Sequence, residues 1–311
     1  MRTTFIKTLT ELADRNPDIW LLCGDLGYSV LEQFATHHPD RYINVGVAEQ
    51  NLAGMAAGLA LTGKTVFIYS IGNFPTLRCL EQLRNDVCYH GADVKVVAVG
   101  AGFAYGSQGY THHAIEDVAV MSALPGMEVF APCDPLEVRL ATTLIAASGQ
   151  PSYLRLSRAG EPVLHESEPA DLRKISVLRQ GKDVTLMTSG PVASLCLDAA
   201  KQLAASFIEA AVVTVPCLKP LDETGVTDLA STGRPIVTVE EHILRGGLFT
   251  AVAGSLASLP GRPPVVGLGI PEAAGKISKA GDRDTLLAEA GLSVRAIVDK
   301  VRGVVASTAR R

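Results

Sequence analysis

Four places in this 311-residue chain combine reactive side chains with backbone that could leave them accessible. A single carboxylate, Glu49, stands at the front of the Gly- and Ala-rich run "GVAEQNLAGMAAGLALTG". It can serve there as the first-turn partner of a helix dipole, or as a group held for acid–base chemistry away from water. His112 and His113 lie in the glycine-rich loop "GSQGYTHHAIED", where an imidazole can stabilise a developing alkoxide or simply face solvent. Asp25 in "CGDLG" suits a turn beside glycine as well as it suits a site, and Arg155 and Arg158 in "YLRLSRAG" offer planar donor forks for an anion. The six cysteines are scattered without a C-x-x-C pair, so reduced core thiols are expected and no metal site.

Short β-branched runs alternate with helical patterns along the whole chain: "IWLLCGD", "TVFIYS", "VKVVAVG", "MEVFAP" and "SYLRLS", then "DVTLMTS", "AVVTVP", "PIVTVEE" and "PVVGLG". That alternation predicts an α/β fold of two open, mostly parallel sheets with helices on both faces. Sites in such sheets lie at the carboxyl ends of strands, where Asp25 and the histidine loop fall. The length, about twice the ~150 residues of a typical domain, agrees with two units. Residues 163–180, rich in charge and carrying a proline, read as a linker between a first domain, 1–162, and a second, 181–311. The run from Val47 to Leu61 is long enough for a helix, with Asn44 as N-cap and Gly63 as its stop.

Hydrophobic residues make up 47% and charged residues 19%, which excludes a disordered chain. A formal charge of -4 gives no electrostatic reason to expect a nucleic acid, and no apolar run approaches the ~20 residues of a membrane span. The N-terminus lacks the unbroken apolar core of a secretory signal, so cytoplasmic residence is expected.

In order, "GVAEQN", "IYSIGNF", "AVGAGFAYGSQGYTHHAIED", "LPGMEVFAP" with Asp134 and Glu137 behind it, and "PSYLRLSR" resemble the thiamine-diphosphate enzymes of the transketolase group. More narrowly, the chain resembles the C-terminal half of transketolase, a pyrimidine-binding domain followed by a C-terminal domain. The resemblance implies that Glu49 hydrogen-bonds N1′ of the aminopyrimidine, in a lining of small apolar residues that favours sharing a proton with the ring. It implies that Phe74 stacks on that ring beside Ile71 and that Asp25 lies near the thiazolium. It further gives His112 the oxygens of a donor sugar, with His113 either a second contact to the sugar or the group that orients His112, and gives Arg158 the phosphate of an acceptor.

Departures from the family pattern bear on substrate. Ile71 and Leu77 stand where aromatics are common, Gln108 where an aspartate reads a sugar hydroxyl, and Gly100 where a histidine helps hold phosphate. An unusual sugar acceptor or donor is therefore expected. No diphosphate-binding segment precedes Met1, so the expected partner is an N-terminal subunit that holds the diphosphate with Mg²⁺ or Ca²⁺, plausibly in an α2β2 assembly. The alternatives are the β subunit of a 2-oxoacid dehydrogenase E1 component, a deoxyxylulose-phosphate-synthase-like enzyme and a non-catalytic regulatory subunit. The sequence "THHAIED" favours the transketolase side over E1.

Overall fold

Runs of β-branched residues become strands buried on both faces, which is why they show no polar alternation. The computed structural model describes residues 1–158, 160–273 and 279–308. Its first sheet contains β1 (Ile19–Cys23), β2 (Tyr42–Asn44), β3 (Thr65–Ile71), β4 (Val94–Val99), β5 (Glu128–Phe130), β6 (Ser152–Leu156) and β10 (Cys217–Lys219). The order is β10-β5-β6-β4-β3-β1-β2. The second contains β7 (Ser176–Arg179), β8 (Val184–Ser189), β9 (Ala210–Thr214), β11 (Ile236–Ile243) and β12 (Val265–Ile270), in the order β12-β11-β8-β9-β7. All pairings are parallel except β10 with β5 and β7 with β9.

Three of these strands depart from the sequence reading: β2 is a run of only three residues that becomes a strand by pairing with β1, and β7 and β10 differ further. β7 lies inside the stretch read as linker, because only two apolar residues, Val177 and Leu178, stand between Ser176 and Arg179 beside many charges, and they gain strand character by pairing with β9. β10 comes from the second half of the chain yet closes the edge of the first sheet. Its three residues sit between Pro216 and Pro220, a setting that looks like a loop.

Helices cover both faces of the first sheet. α1 (Arg2–Ala13), α2 (Glu32–His37) and α6 (Pro135–Ser148) pack on one face through Phe5, Leu9, Phe34 and Val138. α3 (Glu49–Leu61), α4 (Leu80–Gln82, continuing as a π-helix to Cys88) and α5 (Asp117–Ala123) cover the other. In the second unit α7 (Ala193–Ala204) packs on the sheet through Cys196, Ala200 and Leu203. The apolar cluster around α3 continues into α8 (Glu223–Ser231) and α9 (Leu248–Ser255), so the two units share a core. Each fully buried Val or Leu in it contributes about 1.5–3 kcal/mol. Among the described residues no helix is long and apolar enough to cross a membrane.

The start of α3 differs from the expected one. Its N-cap is Ala48, with no side-chain cap, because the chain turns at Gly46 (φ 74°) and carries Asn44 away from the helix. Asn44 instead accepts hydrogen bonds from the Asp25 and Gly46 N–H groups, both at 3.0 Å. Gly63, at φ 91°, closes the far end by donating to Ala60 O.

Candidate active site

Register brings four strand ends level: Cys23 pairs with Tyr69, Ile71 with Val99, and Val99 with Leu156. The loops leaving them carry Asp25, Phe74, the histidines and Arg158, at the carboxyl ends of the strands, where α/β proteins place their sites.

Glu49 is 3% exposed. Its side chain passes Gly24, where an added Cβ would stand 3.8 Å from Glu49 Cγ. Arg78 Nη1 donates to Glu49 Oε2 at 2.8 Å, and the same guanidinium lies 4.7 Å from the centroid of the Phe74 ring. Phe74 in turn meets His112 edge-on, with centroids 5.2 Å apart. Glu49, Arg78, Phe74 and His112 thus form one continuous cluster drawn from the start of α3 and two loops. The lining of Glu49 is not purely apolar as expected: a guanidinium balances the charge that burial would otherwise make costly.

Local hydrogen bonds fix Phe74. Its N–H donates to the carbonyl of half-buried Ile71 at 2.8 Å, and its own carbonyl accepts from Cys79 Sγ. Gly72, at φ 36°, lets this turn approach the histidine loop, since a Cβ there would lie 3.1 Å from that of Ala114. Asn73 Nδ2 then donates to His113 O at 2.6 Å, tying the two loops together.

The paired histidines face different surroundings. His112 is half-buried, with Thr111 Oγ1 3.0 Å from its Nδ1. Burial and then the neighbouring His113 push its imidazole below the ordinary histidine value, disfavouring the charged form. His113 is fully buried and stands edge-on to Phe103, 4.9 Å away. Gln108 is exposed on the turn Gly106–Gln108. Asp25 is also exposed and sits at φ 55°, its carboxylate accepting from Asn44 Nδ2 and Tyr28 Oη.

The two arginines separate in role. Arg155 is buried and donates to both oxygens of Asp117, at 2.7 and 3.2 Å, and to the carbonyls of Ala114 and Glu241. It is a structural tie. Arg158 is exposed and lies 5.3 Å from the centroid of the Tyr105 ring, at the edge of a cavity of about 330 Å³ that Arg2, Ser157, Ser194 and Arg283 also line. Gly100, at φ 103°, has no room for a side chain because the Tyr105 ring fills the place where its Cβ would be.

Residues 1–161 match the family described as "Transketolase, pyrimidine binding domain", and residues 173–297 match "Transketolase, C-terminal domain". The chain belongs to the transketolase family. It is 36% identical over 274 residues to an apulose-4-phosphate transketolase subunit of Phocaeicola vulgatus, covering 87% of each chain. It is 36% identical to the "Putative transketolase C-terminal section" of Methanocaldococcus jannaschii, covering 97% of this chain and 95% of that one. Among solved structures it matches "Split gene transketolase, inactive beta4 tetramer" at 37% identity, with a TM-score of 0.89 and 98% of both chains covered. It also matches deoxyxylulose-phosphate synthases at 32–33% identity, but spans under half of each.

Three residues in or beside the candidate site carry no signal of their own in the sequence: Arg78, Tyr105 and Glu241. Arg78 follows Phe74 by four positions in a turn closed by Leu77 N–H to Asn73 O, a spacing that places two side chains on one side. Glu241 of the second unit accepts from Phe103 N–H at 2.8 Å and pairs with Arg283, and nothing local in "VEEHIL" signals that reach.

Proposed function

We propose that this chain is the C-terminal subunit of a split transketolase, which moves a two-carbon ketol unit from a ketose donor to an aldose acceptor. It works with a partner subunit that carries the diphosphate-binding domain and a Mg²⁺ or Ca²⁺ ion, in an α2β2 complex. The observation that carries this reading is a buried carboxylate, Glu49, beside an edge-on aromatic pair, Phe74 and His112, at the strand ends of a chain with this family's domains. Those residues fit an aminopyrimidine: an acid for a ring nitrogen, a flat apolar face for the ring, and glycines at 24 and 72 that keep the approach open. Thiamine diphosphate, when bound, supplies the nucleophilic carbon and the electron sink.

This chain's residues then have separate tasks. Glu49 would hold the proton shared with a ring nitrogen of the coenzyme, and Phe74 and Ile71 would support the ring. His112, its imidazole pKa lowered by burial, would hydrogen-bond oxygens of the sugar, and buried His113 keeps its loop in place. Asp25, held by Asn44, would lie beside the thiazolium. Arg158, with Gln108 on the neighbouring loop, receives the far end of the sugar, with Tyr105 under its guanidinium. Similar subunits are named for apulose 4-phosphate and 6-deoxy-6-sulfo-D-fructose, which supports a ketose substrate outside the common pentose phosphates. The proposed place is the cytoplasm and carbohydrate metabolism, and six free cysteines suit a reducing compartment.

Reconstitution tests the reading. The chain alone should be inactive, whereas addition of the partner subunit, thiamine diphosphate and Mg²⁺ should give ketol transfer from a panel of ketoses. Glu49→Ala should lower turnover in that mixture by at least about a hundredfold, the scale of a lost general acid–base group. Turnover that survives this substitution would remove Glu49 from catalysis.

A further inference from the structure

The two groups assigned above to the coenzyme ring, the Glu49 carboxylate and the Phe74 face, are both engaged by one side chain. Arg78 donates to Glu49 Oε2 at 2.8 Å while its guanidinium carbon lies 4.7 Å from the Phe74 centroid. A planar, cationic group therefore stands against the acid and the aromatic face that a planar heterocycle would use. We propose that Arg78 is a gate on the coenzyme ring site, which pairs with Glu49 until the aminopyrimidine displaces it. The inference rests on the proposed function and deepens it.

Three features support displacement rather than permanent pairing. The Glu49 side chain is 3% exposed whereas that of Arg78 is 49% exposed, so only the arginine can turn outward into water without crossing the core. Glu49 is buried against Gly24 and needs a partner at all times, because an isolated buried carboxylate is strongly disfavoured. A ring nitrogen that shares a proton with Glu49 supplies such a partner and frees the guanidinium. Phe74, meanwhile, is held at both its N–H and its carbonyl, so its face stays in place when the arginine leaves. The exchange is a swap of one hydrogen-bonded partner for another, with no change in the fold.

The gate predicts that removing the guanidinium tightens coenzyme binding, the reverse of what loss of a binding residue does. In the reconstituted complex with its partner subunit, thiamine diphosphate is titrated by calorimetry and by near-ultraviolet circular dichroism, for wild type, Arg78→Ala and Arg78→Met. Both variants should bind the coenzyme about fivefold more tightly, the scale of a half-exposed ion pair. In the chain alone, Arg78→Ala should lower the melting temperature, and adding Glu49→Gln should restore it, because the neutral amide needs no counter-charge. Unchanged or weaker coenzyme binding by both variants would overturn the gate, as would melting of Arg78→Ala at the wild-type temperature. Failure of the functional reading looks different. There the wild-type complex itself does not bind thiamine diphosphate, or Glu49→Gln binds it as wild type does.

Discussion

Arg155, at the penultimate position of β6, and Asp117, at the first position of α5, form a fork-to-carboxylate pair sealed between the two sheets. Both are essentially unexposed, at 4% and 0%. Tyr153 Oη adds a hydrogen bond of 2.5 Å to the same carboxylate, and Arg155 Nη2 also donates to the carbonyls of Ala114 and Glu241. Burial pushes the Asp117 carboxyl up, but Arg155, His242 and Tyr153 outweigh it and hold it below the usual range. One ion pair thus joins the sheet, the end of the histidine loop and the second unit.

Removing one partner of this pair leaves a buried charge without compensation. Arg155→Met should destabilise the fold by about 3–5 kcal/mol, read from urea unfolding. Tyr153→Phe should cost only about 1–3 kcal/mol, because the arginine still satisfies Asp117. Equal losses for the two substitutions would deny the guanidinium its central place.

Glu241 ties the second unit to the histidine loop. Its carboxylate accepts from Phe103 N–H at 2.8 Å, pairs with Arg283 at 2.5 Å and packs where Gly102 has no side chain. Glu241→Ala should therefore free the 101–114 loop, seen as faster hydrogen exchange at the Phe103 amide while the amides of β3 and β4 stay protected. Turnover of the reconstituted pair should fall with it. Exchange at Phe103 that matches wild type would detach Glu241 from the loop.

The sequence disclosed what local pattern can carry. The alternation of β-branched runs and helices was legible, as were the positions of Glu49 and His112 at the ends of particular elements. The partners that give those residues their setting were not. Arg78 reaches Glu49 across 29 positions and Glu241 reaches Phe103 across 138, and no periodicity records a contact made by folding. Strands β2, β7 and β10 leave no local signal for a related reason: each is short, and each becomes a strand through its neighbour in the sheet. Arg155 showed only its charge, and its burial against Asp117 is what makes it structural.

Two buried groups in "EEH" are shifted in opposite directions by the same cause, burial. Burial pushes Glu240 up to about 7 despite the Phe249 and Leu248 N–H groups that it accepts at the start of α9, and burial pushes His242 down to about 4. A raised carboxyl contributes stability below its unfolded value of 4.5 and loses it as pH rises through about 7. A depressed imidazole contributes above 6.5 and loses that as pH falls through about 4. Glu240→Gln removes only the first dependence. The stability of the variant relative to wild type should rise between pH 4.5 and 7.5 by about 3 kcal/mol, measured by denaturant unfolding at each pH. A difference that stays constant over that window would place the Glu240 carboxyl near its unfolded value.

Gly100 and Tyr105 decide what can stand beside Arg158. Gly100 has φ 103°, and the Tyr105 ring occupies the space of its absent Cβ while also supporting the Arg158 guanidinium at 5.3 Å. A histidine placed at 100, where the family pattern has one, meets two obstacles: a backbone angle that costs an L-residue about 1–3 kcal/mol, and a ring already in position. Gly100→Ala should therefore destabilise by more than the backbone cost alone. Tyr105→Ala in the same chain should recover the excess but not the backbone part, so the double-mutant cycle should give a coupling of at least about 1 kcal/mol. In the reconstituted pair, Tyr105→Ala should raise KM for an anionic sugar with less effect on kcat, because it loosens the arginine and leaves the Glu49 cluster alone. Additive stabilities in the cycle, or a kcat loss at unchanged KM, would separate Tyr105 from the Arg158 site.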